Sequence, residues 1–230
     1  MKTIGLIGGM SWQSSKEYYK IINQIASDKL GGHHSCKSIM YTFDFDPMYN
    51  FIIKEDWDNV AKNLIIAAKT LEKGGADFII IVCNTVHMVA DEVEKNINIP
   101  LLHIVDMTAN KIKQSGFNAI GLIGSVYTME KGFYKERLKT KYNIDVVVPE
   151  KSDRDYINKV NFTELDYGII KESSRRRYIK IMEKLVDKGA EGVILGCTEI
   201  PLLVKQEHTE IPIFETTTLH AKSAVEYALK

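Results

Sequence analysis

Short apolar runs closed by small or polar residues recur along the chain, and longer amphipathic stretches separate them. "TIGLIGG" (3–9) and "AIGLIGS" (119–125) are runs of this kind. Each is continuous rather than alternating, as strands covered on both faces of a parallel sheet are. "WDNVAKNLIIAAKTLEKGG" (57–75) places Val60, Leu64, Ile65, Ala68 and Leu71 on one helical face, and Gly74-Gly75 supplies the stop. "RRYIKIMEKLVDKGA" (176–190) repeats the device with Ile179, Met182, Leu185 and Val186, stopped at Gly189. Further helices are predicted over about 14–29 and 128–141. Strands alternating with helices predict an α/β fold with mostly parallel sheets.

The pattern occurs twice. "IGLIG" stands at 4–8 and again at 120–124; "GADFIIIVCNT" (75–85) aligns without a gap on "GAEGVILGCTE" (189–199); "NIPLL" (98–102) is echoed by "EIPIF" (210–214). The three matches keep their order, which predicts two halves of similar construction. The middle match sets Cys83 opposite Cys197, each just past the carboxyl end of its strand. Ligands of open α/β sheets bind at that edge, so two facing halves are expected to offer one thiol each to a shared cleft.

Two opposed thiols suit inversion of a carbon acid such as an amino-acid α-carbon. One thiolate removes the proton from one face, and the other thiol returns a proton to the opposite face. A cysteine pKa of about 8.5 lies near working pH, and a following helix N-terminus is expected to favour the thiolate. Asn84 and Thr85 follow the first thiol; Thr198 and Glu199 follow the second. With Ser125 and Thr128 after the second "IGLIG", and Met10 and Ser11 after the first, they are candidates to hold a substrate carboxylate and its developing charge. Glu199 can orient Cys197 or accept a substrate ammonium group, and His87 can do something similar near Cys83.

Composition narrows the alternatives. A chain of 230 residues can bury a substantial core, and 30 Lys plus Arg balance 30 Asp plus Glu, so no broad basic field recruits nucleic acid or a membrane surface. The densest basic run, "KESSRRRYIK" (171–180), reads as a solvated helix face. No stretch approaches the ~20 apolar residues of a membrane-spanning helix, and the N-terminus lacks the features of a signal peptide. A cytoplasmic protein is therefore expected, in which the three separated cysteines form no disulfide framework. "GLIGGMS" is neither a dinucleotide fingerprint nor a P-loop, and "GGHHSCKS" (31–38) reads as a solvated loop rather than a metal site. Neither metal nor cofactor is expected.

"IGLIGGMSWQSS" (4–15), "CNTVH" (83–87) and "GCTEI" (196–200) resemble the cofactor-independent aspartate/glutamate racemases, above all their aspartate-racemase branch. The resemblance runs over essentially the whole chain. It implies two pseudo-symmetric α/β domains, 1–97 plus 211–230 and 98–210, with the C-terminal segment returning to the first, and a homodimer. It implies Cys83 and Cys197 as the acid–base pair, with Met10, Asn84, Thr85, Ser125, Thr128 and Thr198 lining the substrate site. Two departures bear on substrate. Ile52 and Ile53 stand where members often carry a polar or basic residue, and Glu164 stands where members acting on acidic amino acids resemble one another in a basic one. A carboxylate in place of that cation repels a second substrate carboxylate, so a broad or non-acidic preference is expected. Related isomerase or decarboxylase chemistry on hydantoins or malonate-like acids, a two-lobed cytosolic binding protein, and a Cys83–Cys197 redox switch are the alternatives.

Overall fold

The structure, a computed structural model, describes all of residues 1–230. In order along the chain the elements are β1 (Ile4–Gly8), α1 (Trp12–Leu30), β2 (Ser38–Thr42), α2 (Phe45–Ile53), α3 (Trp57–Lys73), β3 (Phe78–Ile81), a 3₁₀ turn (Thr85–Val89), α4 (Ala90–Glu94) and α5 (Ile104–Gln114). There follow β4 (Ala119–Gly124), α6 (Val126–Glu130), α7 (Gly132–Tyr142), β5 (Asp145–Val147), α8 (Lys151–Thr163), a 3₁₀ turn (Leu165–Tyr167), α9 (Glu172–Asp187), β6 (Val193–Gly196), α10 (Ile200–Leu203), a 3₁₀ turn (Gln206–His208), β7 (Ile213–Glu215) and α11 (Thr216–Ala228). The chain divides into two compact units, Met1–Ile104 with Thr217–Lys230, and Val105–Thr216.

Each unit holds its own parallel sheet, ordered β2-β1-β3 in the first and β5-β4-β6-β7 in the second. The repeat in the sequence is a repeat in register. Gly5 pairs with Ile79 in the first sheet, and their repeat partners Gly121 and Val193 pair in the second. Ile79 also bridges Leu101, as Val193 pairs with Ile213. A carboxylate closes each sheet at the same place: Asp77 accepts from the Thr3 N–H at 2.6 Å, and Glu191 accepts from the Asn118 and Ala119 N–H groups at 2.7 and 2.9 Å.

The cores follow from the apolar runs. In the first unit Ile4, Leu6, Phe78 and Ile80 pack with Tyr18 and Ile22 of α1 and with Ala221, Ala224, Val225 and Ala228 of α11. In the second, Ile123, Val193 and Leu195 pack with Tyr178, Ile181, Met182 and Leu185 of α9. Burying such side chains is the main favourable term in either unit, about 25 cal/mol per Å² of apolar surface. Gly189, at φ +97°, ends the turn after α9 in a backbone region that glycine adopts without strain.

Three expectations need correction. The helix expected over 128–141 is two, because Lys131 is extended (φ −73°, ψ 144°) and Gly132 begins a new helix. Val186 is 41% exposed rather than in the core, since the buried stripe of α9 runs through Ser174, Tyr178, Ile181, Met182 and Leu185. The units meet in the chain at Ile104/Val105 and Thr216/Thr217 rather than at 97/98 and 210/211. Leu101 bridges to β3, and β7 pairs with β6, which holds each segment in the neighbouring unit.

Candidate active site

In the first unit β1 runs into Gly9, whose φ of +87° and contact with Phe43 leave no room for a side chain: a Cβ there would stand 2.4 Å from the Phe43 N and O. The Ser15 hydroxyl accepts from the Gly9 N–H at 2.8 Å and donates to the Ser11 carbonyl at 3.1 Å. Ser14 donates to the Val82 carbonyl at 2.8 Å, tying the start of α1 to the end of β3. Met10 and Ser11 are thereby held beside the Cys83 strand, both buried.

Cys83 lies just past β3, partly exposed, with Asn84 and the 3₁₀ turn immediately after it. His87 does not aim at the thiol. Its Nε2 accepts from the Ile104 N–H at 3.3 Å, so Nδ1 carries the proton and donates to the Cys83 carbonyl at 2.7 Å. The ring of His87 meets His103 edge-on, and beyond it stands His220, which accepts from the Tyr18 hydroxyl and donates to the Leu102 carbonyl. Burial depresses the His220 pKa to about 4. His87 thus fixes the backbone that carries Cys83.

In the second unit Cys197 follows β6, and a single carboxylate oxygen organises what surrounds it. Glu199 Oε2 accepts from the Cys197 thiol at 3.1 Å and from the Thr198 hydroxyl at 2.8 Å. Glu199 is buried (4% exposed). Burial, the Glu199 carboxylate and the Asp166 carboxylate push the Cys197 pKa well up, and the opposing Glu199 N–H is outweighed. The expectation that a following helix would favour the thiolate is therefore corrected at Cys197. α10 is only four residues long, and a buried carboxylate at hydrogen-bond distance dominates so small a dipole.

Ser125 and Thr128 close on one another at the end of β4. The Ser125 Oγ accepts from the Thr128 N–H at 3.2 Å and lies 3.1 Å from its hydroxyl, capping α6. Thr128 is wholly buried, behind Ser125. Glu164, expected to face a substrate, instead joins the end of α8 to the start of α9: it accepts from Lys171 at 3.0 Å and from Ser174 at 2.7 Å. Ile52 is buried in α2 while Ile53 is 46% exposed. Asp166, not singled out in the sequence, lies two residues beyond Glu164 on the 3₁₀ turn; burial and the Glu199 carboxylate raise its pKa to about 7. Arg177 of the basic run and Lys184, one turn past the end of that run on α9, hold the buried Asp153 at 3.2 and 2.7 Å. All three cysteines are free, no group of three or more His, Cys, Asp or Glu is placed to hold a metal ion, and no helix is long and apolar enough to cross a membrane.

The sequence profile described as Asp/Glu/hydantoin racemase matches residues 7–224. RacX of Bacillus subtilis, a broad-specificity amino-acid racemase, is 27% identical over 174 residues, spanning 74% of this chain and 73% of its own. A crystal structure from Yersinia pestis, provisionally named an Asp/Glu racemase, superposes with a TM-score of 0.93 at 47% identity and full coverage of both chains. An aspartate racemase homologue from Pyrococcus horikoshii gives 0.88 at 34% identity, again over the whole of both.

Proposed function

The chain belongs to the Asp/Glu/hydantoin racemase family and is an isomerase of the amino-acid racemase type; we propose that it interconverts L- and D-amino acids through Cys83 and Cys197, without cofactor or metal, and with a broad or non-acidic substrate preference. The observation that carries this reading is the matched placement of the two thiols past equivalent strands, one of them held protonated.

In the resting enzyme Cys197 keeps its proton, because Glu199 accepts it and a thiolate there would sit beside a carboxylate in a buried place. Cys83 is then the base for the first direction. Its thiolate takes the α-proton, the electron pair is delocalised into the substrate carboxylate, and the Cys197 S–H delivers its own proton to the opposite face. The C–H bond broken on one face is replaced by one on the other, and the two sulfurs exchange charge states. Asn84, Thr85, Thr198 and Ser125 bind the substrate's carboxylate and ammonium groups; Met10, Ser11 and Thr128 shape their surroundings. Each positioned acid or base contributes roughly 10²–10⁴-fold. Ile52 and Glu164 act on substrate choice only indirectly, one from the core and the other through its Lys171 and Ser174 partners. The enzyme works as a cytoplasmic homodimer.

A panel of L- and D-amino acids and 5-substituted hydantoins, incubated with the protein in heavy water, tests the proposal by chiral chromatography and loss of the α-hydrogen signal. Inversion with deuterium incorporation in amino acids is expected. Binding without exchange, or exchange confined to hydantoins, would overturn it.

A further inference from the structure

We propose that the second unit carries a binding site for a small phosphoanion, in the cleft where α9 lies beside Asp153 of α8, held by Arg176, Arg177, Lys180 and Lys184. No residue of this cleft is assigned to racemisation, and the inference does not rest on the racemase reading.

The cleft has a volume of about 310 Å³, and Ser173, Ile181 and Asp153 line it together with the four cations. That volume suits a small molecule. The residues from α9 recur at spacings of three and four, so one face of the helix presents them all. Ile181, 1% exposed, and Asp153, 3% exposed, form the buried floor. Asp153 accepts from Arg177 at 3.2 Å and from Lys184 at 2.7 Å. The Arg177 guanidinium also lies over the Tyr156 ring, 4.6 Å from its centre. A buried carboxylate and an aromatic face therefore position this guanidinium before any ligand arrives. Asp153 engages only one of its nitrogens, which leaves further donors for a guest.

The charge left over points to the ligand. Within the cleft one carboxylate stands against four cations. Arg176 reaches Glu172 outside it at 3.3 Å, and Lys180, in the middle of the row, enters no ion pair or hydrogen bond. Arg176 and Lys180, and again Lys180 and Lys184, are like charges four residues apart, an arrangement that destabilises a helix. The whole chain balances 30 basic against 30 acidic side chains, so this excess is local. A bound anion removes its cost. Arginine forks flanked by lysine point charges match the several oxygens and the double charge of a phosphate. Ser173, in the first turn of α9, adds a hydroxyl donor. A cleft with a buried floor, in a chain of zero net charge, favours a small molecule over a nucleic acid.

The test is calorimetric titration of the full chain with pyrophosphate and, in a second arm, with ADP, both without divalent metal at about 0.15 M salt. Binding of pyrophosphate with a Kd of about 1 mM or tighter is expected, with a thermal midpoint that rises as the anion is added. Lys180 is exposed and unpaired, so its replacement leaves the fold intact. Lys180→Gln is expected to weaken binding about 10-fold, and Lys180→Glu more than that. Lys69→Gln, which removes an exposed lysine of α3, is expected to change nothing. ADP binding more tightly than pyrophosphate would assign the site to a phosphate ester of an organic molecule, and the reverse order to a free inorganic anion. Absence of binding by both anions overturns the inference. So does binding that Lys180→Gln leaves intact, binding that Lys69→Gln weakens equally, or a DNA oligonucleotide that binds more tightly than either anion.

Discussion

Cys83 and Cys197 end equivalent strands in equivalent registers, yet the letters that follow them differ: Asn84-Thr85 in the first unit stands where Thr198-Glu199 stands in the second. At Cys197 that carboxylate accepts the thiol proton. At Cys83 it is the main chain that is held, the His87 Nδ1–H donating to the Cys83 carbonyl. A duplicated scaffold thus places two chemically identical groups and then distinguishes them by their second neighbour. The proposed inversion needs this distinction, since in it one sulfur begins as acid and the other as base.

Removing either sulfur breaks the comparison outright. Cys83→Ser and Cys197→Ser are each expected to lower kcat for racemisation by roughly 10²–10⁴-fold, with unfolding midpoints near wild type; full activity in either variant would falsify the two-thiol mechanism. Glu199→Gln sharpens it. Loss of the carboxylate lets the Cys197 pKa fall, so the alkaline limb of the rate profile, where Cys197 loses the proton it must donate, is expected to move to lower pH. Thiolate ultraviolet absorbance during titration measures the same shift directly.

The units also differ in their response to pH. His220 has its folded pKa lowered from 6.5 to about 4, so the unfolded chain binds the extra proton between those values. Stability is full above pH 6.5 and is lost as pH falls toward 4, by about 3 kcal/mol at most. Urea titrations across that interval check the slope. Asp166 runs the other way, its folded pKa raised from 3.8 to about 7. The proton favours the folded state, so this group's contribution is whole below about 3.8 and is lost as pH rises through 7. Asp166→Asn is accordingly expected to raise the thermal midpoint at pH 8 more than at pH 5.

Much of this was legible in the sequence because the repeat is one of register as well as of letters. A strand buried on both faces must be continuously apolar, so "IGLIG" and the cysteine-ended runs marked the sheets and the edge where the thiols lie. Isolated polar residues were less legible. Glu164 and Asp166 are two letters apart, and nothing in periodicity tells which is tied down by Lys171 and Ser174 and which faces Glu199. The role of His87 depends on the Ile104 N–H, seventeen residues downstream. The break at Lys131-Gly132 was hidden because the residues on either side remain good helix formers.

The way the chain is threaded carries a consequence for how it matures. Val105–Thr216 is one uninterrupted stretch, so the second unit can complete its interior as it leaves the ribosome. The first cannot, since Ala221, Ala224, Val225 and Ala228 belong to its interior and are synthesised only after the second unit. A nascent polypeptide arrested before residue 217 should therefore resist protease in its later half while its earlier half is still digested.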